Sequence, residues 1–166
     1  GEPRYVDQIL DHLINLNDDG SYRLNMEYFG FVDSNRMTNE RFDNLFGGPP
    51  RTPEARIGRR EMDLAASIQK VTEMAMLGLA KRARESTGCA DLCLSGGVAL
   101  NCVSNGKLLR EGIFDRIWIQ PAAGDAGGAL GAALLASYTN FGVARPKNPG
   151  GRDRQAGSYL GPRYST

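Results

Sequence analysis

The stretch DLCLSGGVALNCVSNGKLLREGIFDRIWIQPAAGDAGGALGAALL, Asp91 to Leu135, reads twice in succession as strand, glycine turn and helix. A short strand over Asp91 to Ser95 meets Gly96-Gly97, which opens a helix through Ala99 to Arg110. A second strand over Arg116 to Gln120 leads to Gly124-Asp125-Ala126-Gly127-Gly128, and this turn opens a helix running to about Asn140. The pattern predicts an α/β domain with ligands at the carboxyl ends of its strands.

Upstream, Leu64, Ala65, Ile68, Val71, Ala75, Met76, Leu79 and Ala83 form one broad apolar stripe on the longest predicted helix, Glu61 to Glu85, closed by Ser86-Thr87-Gly88. Before it, Ser34 to Gly58 has little periodicity and contains Gly47-Gly48-Pro49-Pro50. It reads as a mostly irregular excursion, a functional loop or a segment that packs against a partner outside the chain. Val6, Ile9, Leu10, Leu13 and Leu16 predict an amphipathic helix from Tyr5 to Leu16. The cluster Asn17 to Gly20 is a turn, and Tyr22 to Val32 is a strand or strand pair. Beyond Val143, prolines and glycines interleave with Arg and Lys, so residues 143–166 read as a linker following a domain over 1–142.

The chain has 166 residues, a size at which one compact domain is expected. Its 20 basic side chains nearly balance 19 acidic ones, a net charge of +1 that provides no field to recruit nucleic acid or a membrane surface. No apolar run approaches the roughly 18 residues of a membrane span. Gly1 to Asp11 lacks the basic-then-apolar pattern of a secretory signal, so a cytoplasmic location is expected. Cys89, Cys93 and Cys102 are an odd set, read as small buried hydrophobes rather than disulfide partners or zinc ligands. The single histidine, His12, reads as a structural residue of the first helix.

The two glycine turns carry the chemistry. Each places backbone N–H groups and a positive helix end where glycine allows a ligand to approach, so together they could hold one nucleotide through Ser95, Gly96, Gly97, Val98, Gly124 and Gly127. Alternatively, Gly127, Gly128 and Gly131 only permit close helix packing. Neither turn matches the phosphate loop ending in Gly-Lys-Ser/Thr or the dinucleotide Gly-x-Gly-x-x-Gly pattern. Asp125 is placed to bind a metal or to cap the helix, and the residue pattern leaves both open. Asn101 and Asn105, four apart, share a helix face from which their amides could reach a ligand. Asp63 and Glu73 on the long helix read as solvated carboxylates, and no general base is identifiable.

The Asp91 to Leu135 stretch resembles the carbamoyltransferase family that includes the nodulation, cephamycin and tobramycin O-carbamoyltransferases. LNMEYFGF at Leu24 to Phe31, LFGGPPR at Leu45 to Arg51, DLAASIQKVTE at Asp63 to Glu73 and YLGPRYST at Tyr159 to Thr166 are similar to it as well. The resemblance implies one lobe, the second, of an actin, sugar-kinase and heat-shock-ATPase-like fold, a mixed sheet flanked by helices. A first lobe and a carboxyl-terminal adenylate-synthase-like domain would lie outside this chain. The implied reaction uses ATP and carbamoyl phosphate, forms carbamoyl-adenylate, and passes the carbamoyl group to a hydroxyl of a small-molecule or natural-product acceptor. Gly96 and Gly97 match the pair that contacts the nucleotide, and Asn101 lies in the same motif. Asp125 matches an aspartate of a divalent metal site, iron or magnesium, whose other ligands are first-lobe histidines with no counterpart here. The chain alone is accordingly expected to be inactive, with uncovered apolar surface that favours self-association. The rival readings are a tRNA threonylcarbamoyl or hydrogenase-maturation carbamoyl transferase, and a non-catalytic nucleotide-binding module of the same fold.

Overall fold

The computed structural model describes residues 1–145 together with Lys147, Gln155, Ser158, Gly161, Pro162 and Tyr164, so most of the linker expected over 143–166 lies outside the described residues. Among the described residues the architecture is mixed α/β, with two small sheets of two strands each and flanking helices. The chain divides into two compact units, Gly1–Cys89 with Gly106–Ile113, and Ala90–Asn105 with Phe114–Thr166.

In the first unit, helix α1 (Val6–Gln8) widens into a π-helical turn over Ile9–Leu13. Strand β1 (Ile14–Leu16) then pairs antiparallel with β2 (Tyr22–Leu24) across the predicted turn. The first helix thus stops at Leu13 rather than Leu16. Asn25 supplies the reason: its N–H donates to the Leu13 carbonyl at 2.8 Å and its Nδ2 to the His12 carbonyl at 3.0 Å, satisfying acceptors a helix end leaves open.

The predicted irregular excursion contains helix α2 (Glu40–Leu45), capped by Asn39, whose Oδ1 accepts from the N–H of Arg41 at 3.0 Å and of Phe42 at 3.4 Å. Phe42 and Phe46 pack at a tilt of 54° with centroids 4.6 Å apart, and Tyr5 meets Phe46 edge-on at 5.5 Å. Phe46 joins Ile9, Leu13 and Val71 in the core, so this part of the excursion builds the unit.

Helix α3 (Arg59–Thr87) starts where the Gly58 N–H donates to Glu61 Oε2 at 2.9 Å and ends at Gly88, whose φ of +65° suits glycine. Its buried line runs through Asp63, Ser67, Val71, Ala75 and Gly78, while Ile68 and Leu79 of the expected stripe stay about half exposed, at 51% and 46%. The amino-terminal segment decides this, because the N–H groups of Glu2 and Tyr5 donate to Asp63 and to Ser67 Oγ, at 2.6 and 3.0 Å. Asp63 is therefore buried, contrary to the solvated reading. The Glu2 N–H, with Arg59 and Arg4 adding to it, holds its carboxyl below the usual range.

Gly78 of α3 meets the hairpin turn at Gly20: a Cβ on Gly78 would lie 2.6 Å from the Gly20 Cα. Gly78→Ala is accordingly expected to destabilise the protein by about 1–3 kcal/mol, the usual cost of overpacking. Elsewhere in a helix the same change is worth about 0.5–1 kcal/mol of stability, so the sign of the shift in urea midpoint checks the contact.

The second unit holds strands β3 (Asp91–Leu94) and β4 (Arg116–Ile119), paired in parallel with Asp91 opposite Arg116 and Leu94 opposite Ile119. The two-residue period puts Leu92, Leu94, Ile117 and Ile119 on a half-buried face, and Cys93 and Trp118 on an exposed one. The cysteines correct an expectation here: all three are free and exposed, Cys93 because its strand face is open and Cys102 because it lies with Val103 at the exposed start of the next helix. Helix α4 (Cys102–Arg110) follows a 3-10 turn over Gly97–Leu100, and α5 (Asp125–Leu135) runs on as a π-helical turn over Ala136–Asn140. Among the described residues no helix is long and apolar enough to cross a membrane.

Candidate functional site

Parallel neighbours place their carboxyl ends side by side, so β3 and β4 deliver both glycine turns to the same edge of the sheet. The Gly96 N–H donates to the Ala123 carbonyl at 2.9 Å, tying one turn to the other. Between them lies an open pocket of about 580 Å³, bounded by Ser95, Gly96 and Gly97 on one side and by Gly124, Asp125 and Gly127 on the other. Gly128, Leu130, Gly131 and Leu134 continue its wall along α5. A depression of similar size beside the hairpin, about 590 Å³, is lined by His12, Arg23 and Asn25 and contains neither a glycine turn nor the start of a long helix.

The glycines separate by cause. Gly96 has φ +99°, a conformation that side chains with a Cβ rarely adopt. Gly127 is packed, because a Cβ there would sit 1.9 Å from the Ala122 carbonyl oxygen. At Gly97, Gly128 and Gly131 a Cβ would meet nothing within 4 Å among the described residues, so packing does not account for glycine at these three positions.

The pocket excludes three of the expected site residues from its lining. Val98 is 57% exposed and lies outside it. Asn101 caps α4, its Oδ1 accepting from the Ser104 N–H at 3.0 Å. Asn105 donates from Nδ2 to the Ala99 carbonyl at 2.7 Å, while its buried Oδ1 has no hydrogen-bond partner among the described residues.

Asp125 is the first residue of α5, and Gly124 is its cap, so the carboxylate is not spent as an N-cap. It is exposed and makes no hydrogen bond or ion pair among the described residues. The unpaired N–H groups and positive dipole end of an eleven-residue helix start here, which favours an anionic ligand. Among the described residues no three His, Cys, Asp or Glu side chains cluster to hold a metal, and Asp125 is the carboxylate among the residues lining the pocket. His12 is exposed and approaches Tyr28, 3.5 Å from Nδ1 to Oη.

Glu73, expected to be solvated, is instead paired with Lys107 at 3.0 Å, its side chain 14% exposed. Burial pushes its carboxyl up, but Lys107 and Gln69 outweigh this and hold it below the ordinary range. A carboxylate so engaged is a poor proton acceptor. Gln120, at the end of β4, also lines the pocket and was not singled out from the sequence. The signal was there, since the residue closing a parallel strand is delivered to the ligand edge.

A parallel strand pair whose end turns open onto a helix amino terminus is an α/β unit of the kind that places ligands at the carboxyl ends of its strands. Residues 1–134 match the family described as carbamoyltransferase N-terminus, and the chain belongs to the carbamoyltransferase family. It is 56% identical over 166 residues to the uncharacterised protein sll1178 of Synechocystis sp., covering 99% of this chain and 26% of that protein. It is 37% identical over 162 residues to nodulation protein NolO of Bradyrhizobium diazoefficiens, with 98% and 26% covered. Nodulation protein U of Rhizobium tropici shares 39% identity over 83 residues, 48% of this chain and 14% of that protein. The chain thus spans about a quarter of the length of the first two of these relatives.

Proposed function

We propose that this chain is the second lobe, actin-like in fold, of the transferase domain of an ATP-dependent O-carbamoyltransferase, and that its pocket holds the nucleotide part of carbamoyl-adenylate. The pocket formed by both glycine turns carries this reading. An acceptor hydroxyl attacks the carbamoyl carbonyl and gives up its proton to solvent, the new C–O bond forms, and AMP leaves with the electrons of the old one. The chain's own part is to bind and orient the adenylate. No Lys, Arg or His is among the lining residues, so the N–H groups and dipole at the start of α5 supply the attraction for phosphate.

The chemistry of the family also asks for a divalent cation, iron or magnesium, which when bound polarises the carbonyl or fixes the phosphate. Asp125 would give it one oxygen, and among the described residues no set of three His, Cys, Asp or Glu side chains is present to complete the site. A single carboxylate on one wall leaves orientation and charge stabilisation incomplete, so this chain by itself is read as an inactive part of the enzyme.

Gly97→Val tests the nucleotide reading. A Cβ there meets nothing within 4 Å, so thermal unfolding is expected to stay within a degree or two while the branched side chain blocks ligand approach. ATP affinity of the full-length protein, measured by calorimetry, is expected to fall about tenfold or more, a loss of roughly 1.4 kcal/mol. Unchanged affinity would remove this turn from the site.

A further inference from the structure

One side chain enters the pocket from the end of β4, outside both glycine turns. Gln120 directly follows Ile119, and its N–H donates to the Leu94 carbonyl at 3.0 Å, so its backbone is held in the sheet ladder. Its Oε1 faces the Ala122 N–H at 3.4 Å. Turning the amide over would set two donors against each other, which selects the orientation with Nε2 away from Ala122. Nε2 has no partner among the described residues, and the residue lines the pocket.

The polar side chains of the lining are Ser95, Gln120 and Asp125, and an ionised carboxylate only accepts. Ser95 and Gln120 are therefore the side-chain donors that a ligand meets. Both stand at strand ends, on the edge where α5 begins and where an anion is favoured. We propose that Gln120 Nε2 donates a hydrogen bond to a phosphate oxygen of the bound nucleotide, so that the phosphate rather than the nucleoside lies against the end of β4. This assignment rests on the nucleotide reading above.

Calorimetry on the full-length protein with ATP, AMP and adenosine tests it in two variants. Gln120→Met keeps the length of the side chain and removes the donor. Gln120→Glu keeps an acceptor for the Ala122 N–H and sets a negative charge where the donor stood. A hydrogen bond to a charged group predicts that ATP and AMP bind about tenfold more weakly to Gln120→Met and weaker still to Gln120→Glu, with adenosine unaffected. Parental ATP affinity in both variants overturns the proposal, and so does an equal loss for adenosine, which would put Gln120 on the nucleoside. Failure of the parent protein to bind any of the three overturns the nucleotide reading itself, a result distinct from the other two.

Discussion

Asp125→Asn in the full-length protein is expected to lower carbamoyl transfer by about 10²–10³-fold, the range lost when one preorganised electrostatic group is removed from a site. The substitution keeps the volume and removes the charge. Nothing in the fold depends on that charge, since the carboxylate is exposed, is not the α5 cap, and has no partner among the described residues. Its favourable interaction with the start of α5 is a small surface effect. A thermal unfolding curve matching the parent's should therefore accompany the lost rate. Initial rates together with metal content by elemental analysis decide the matter, and equal values in variant and parent would end the metal role of Asp125.

The second large effect is on stability. Gly127→Ala places a methyl group 1.9 Å from the Ala122 carbonyl oxygen, a backbone atom that cannot swing aside as a side-chain tip would. Either the turn or the first turn of α5 must move, and a cost near the top of the overpacking range, about 3 kcal/mol, is expected. The adjacent Gly128 is the control. A Cβ there meets nothing within 4 Å, so Gly128→Ala should be neutral or stabilising by roughly 0.5–1 kcal/mol. Urea midpoints of the two variants that coincide would mean that the packing of α5 on its turn is not as described.

The strand and helix sequence of the second unit was legible because its signals are local. Asp91–Leu94 and Arg116–Ile119 fall within one residue of the predicted strands, and in the first unit Gly88 likewise ends α3 where the Ser-Thr-Gly triplet pointed. A period of two or 3.6 and a glycine at a turn are properties of a few consecutive residues. The first helix was misjudged for the opposite reason. Val6 to Leu16 keeps a helical period, but Ile14–Leu16 finds a strand partner in Tyr22–Leu24, and Asn25 takes the carbonyls at the helix end.

The same division holds for the site. Sequence alone marked the two glycine turns and Asp125, since a glycine turn between strand and helix is a feature of a few consecutive residues, and the family resemblance was readable from unbroken motifs. Which glycines are open and which are packed depends on atoms five residues or more away in the chain, such as Ala122 beneath Gly127 and Gly20 beside Gly78. The burial of Asp63, the pairing of Glu73 with Lys107 and the exposure of all three cysteines are likewise facts of tertiary contact. A carboxylate or thiol has no fixed environment in the linear chain. It becomes a structural anchor, a free ligand or a bare surface group only when the fold decides which N–H, cation or apolar face it meets.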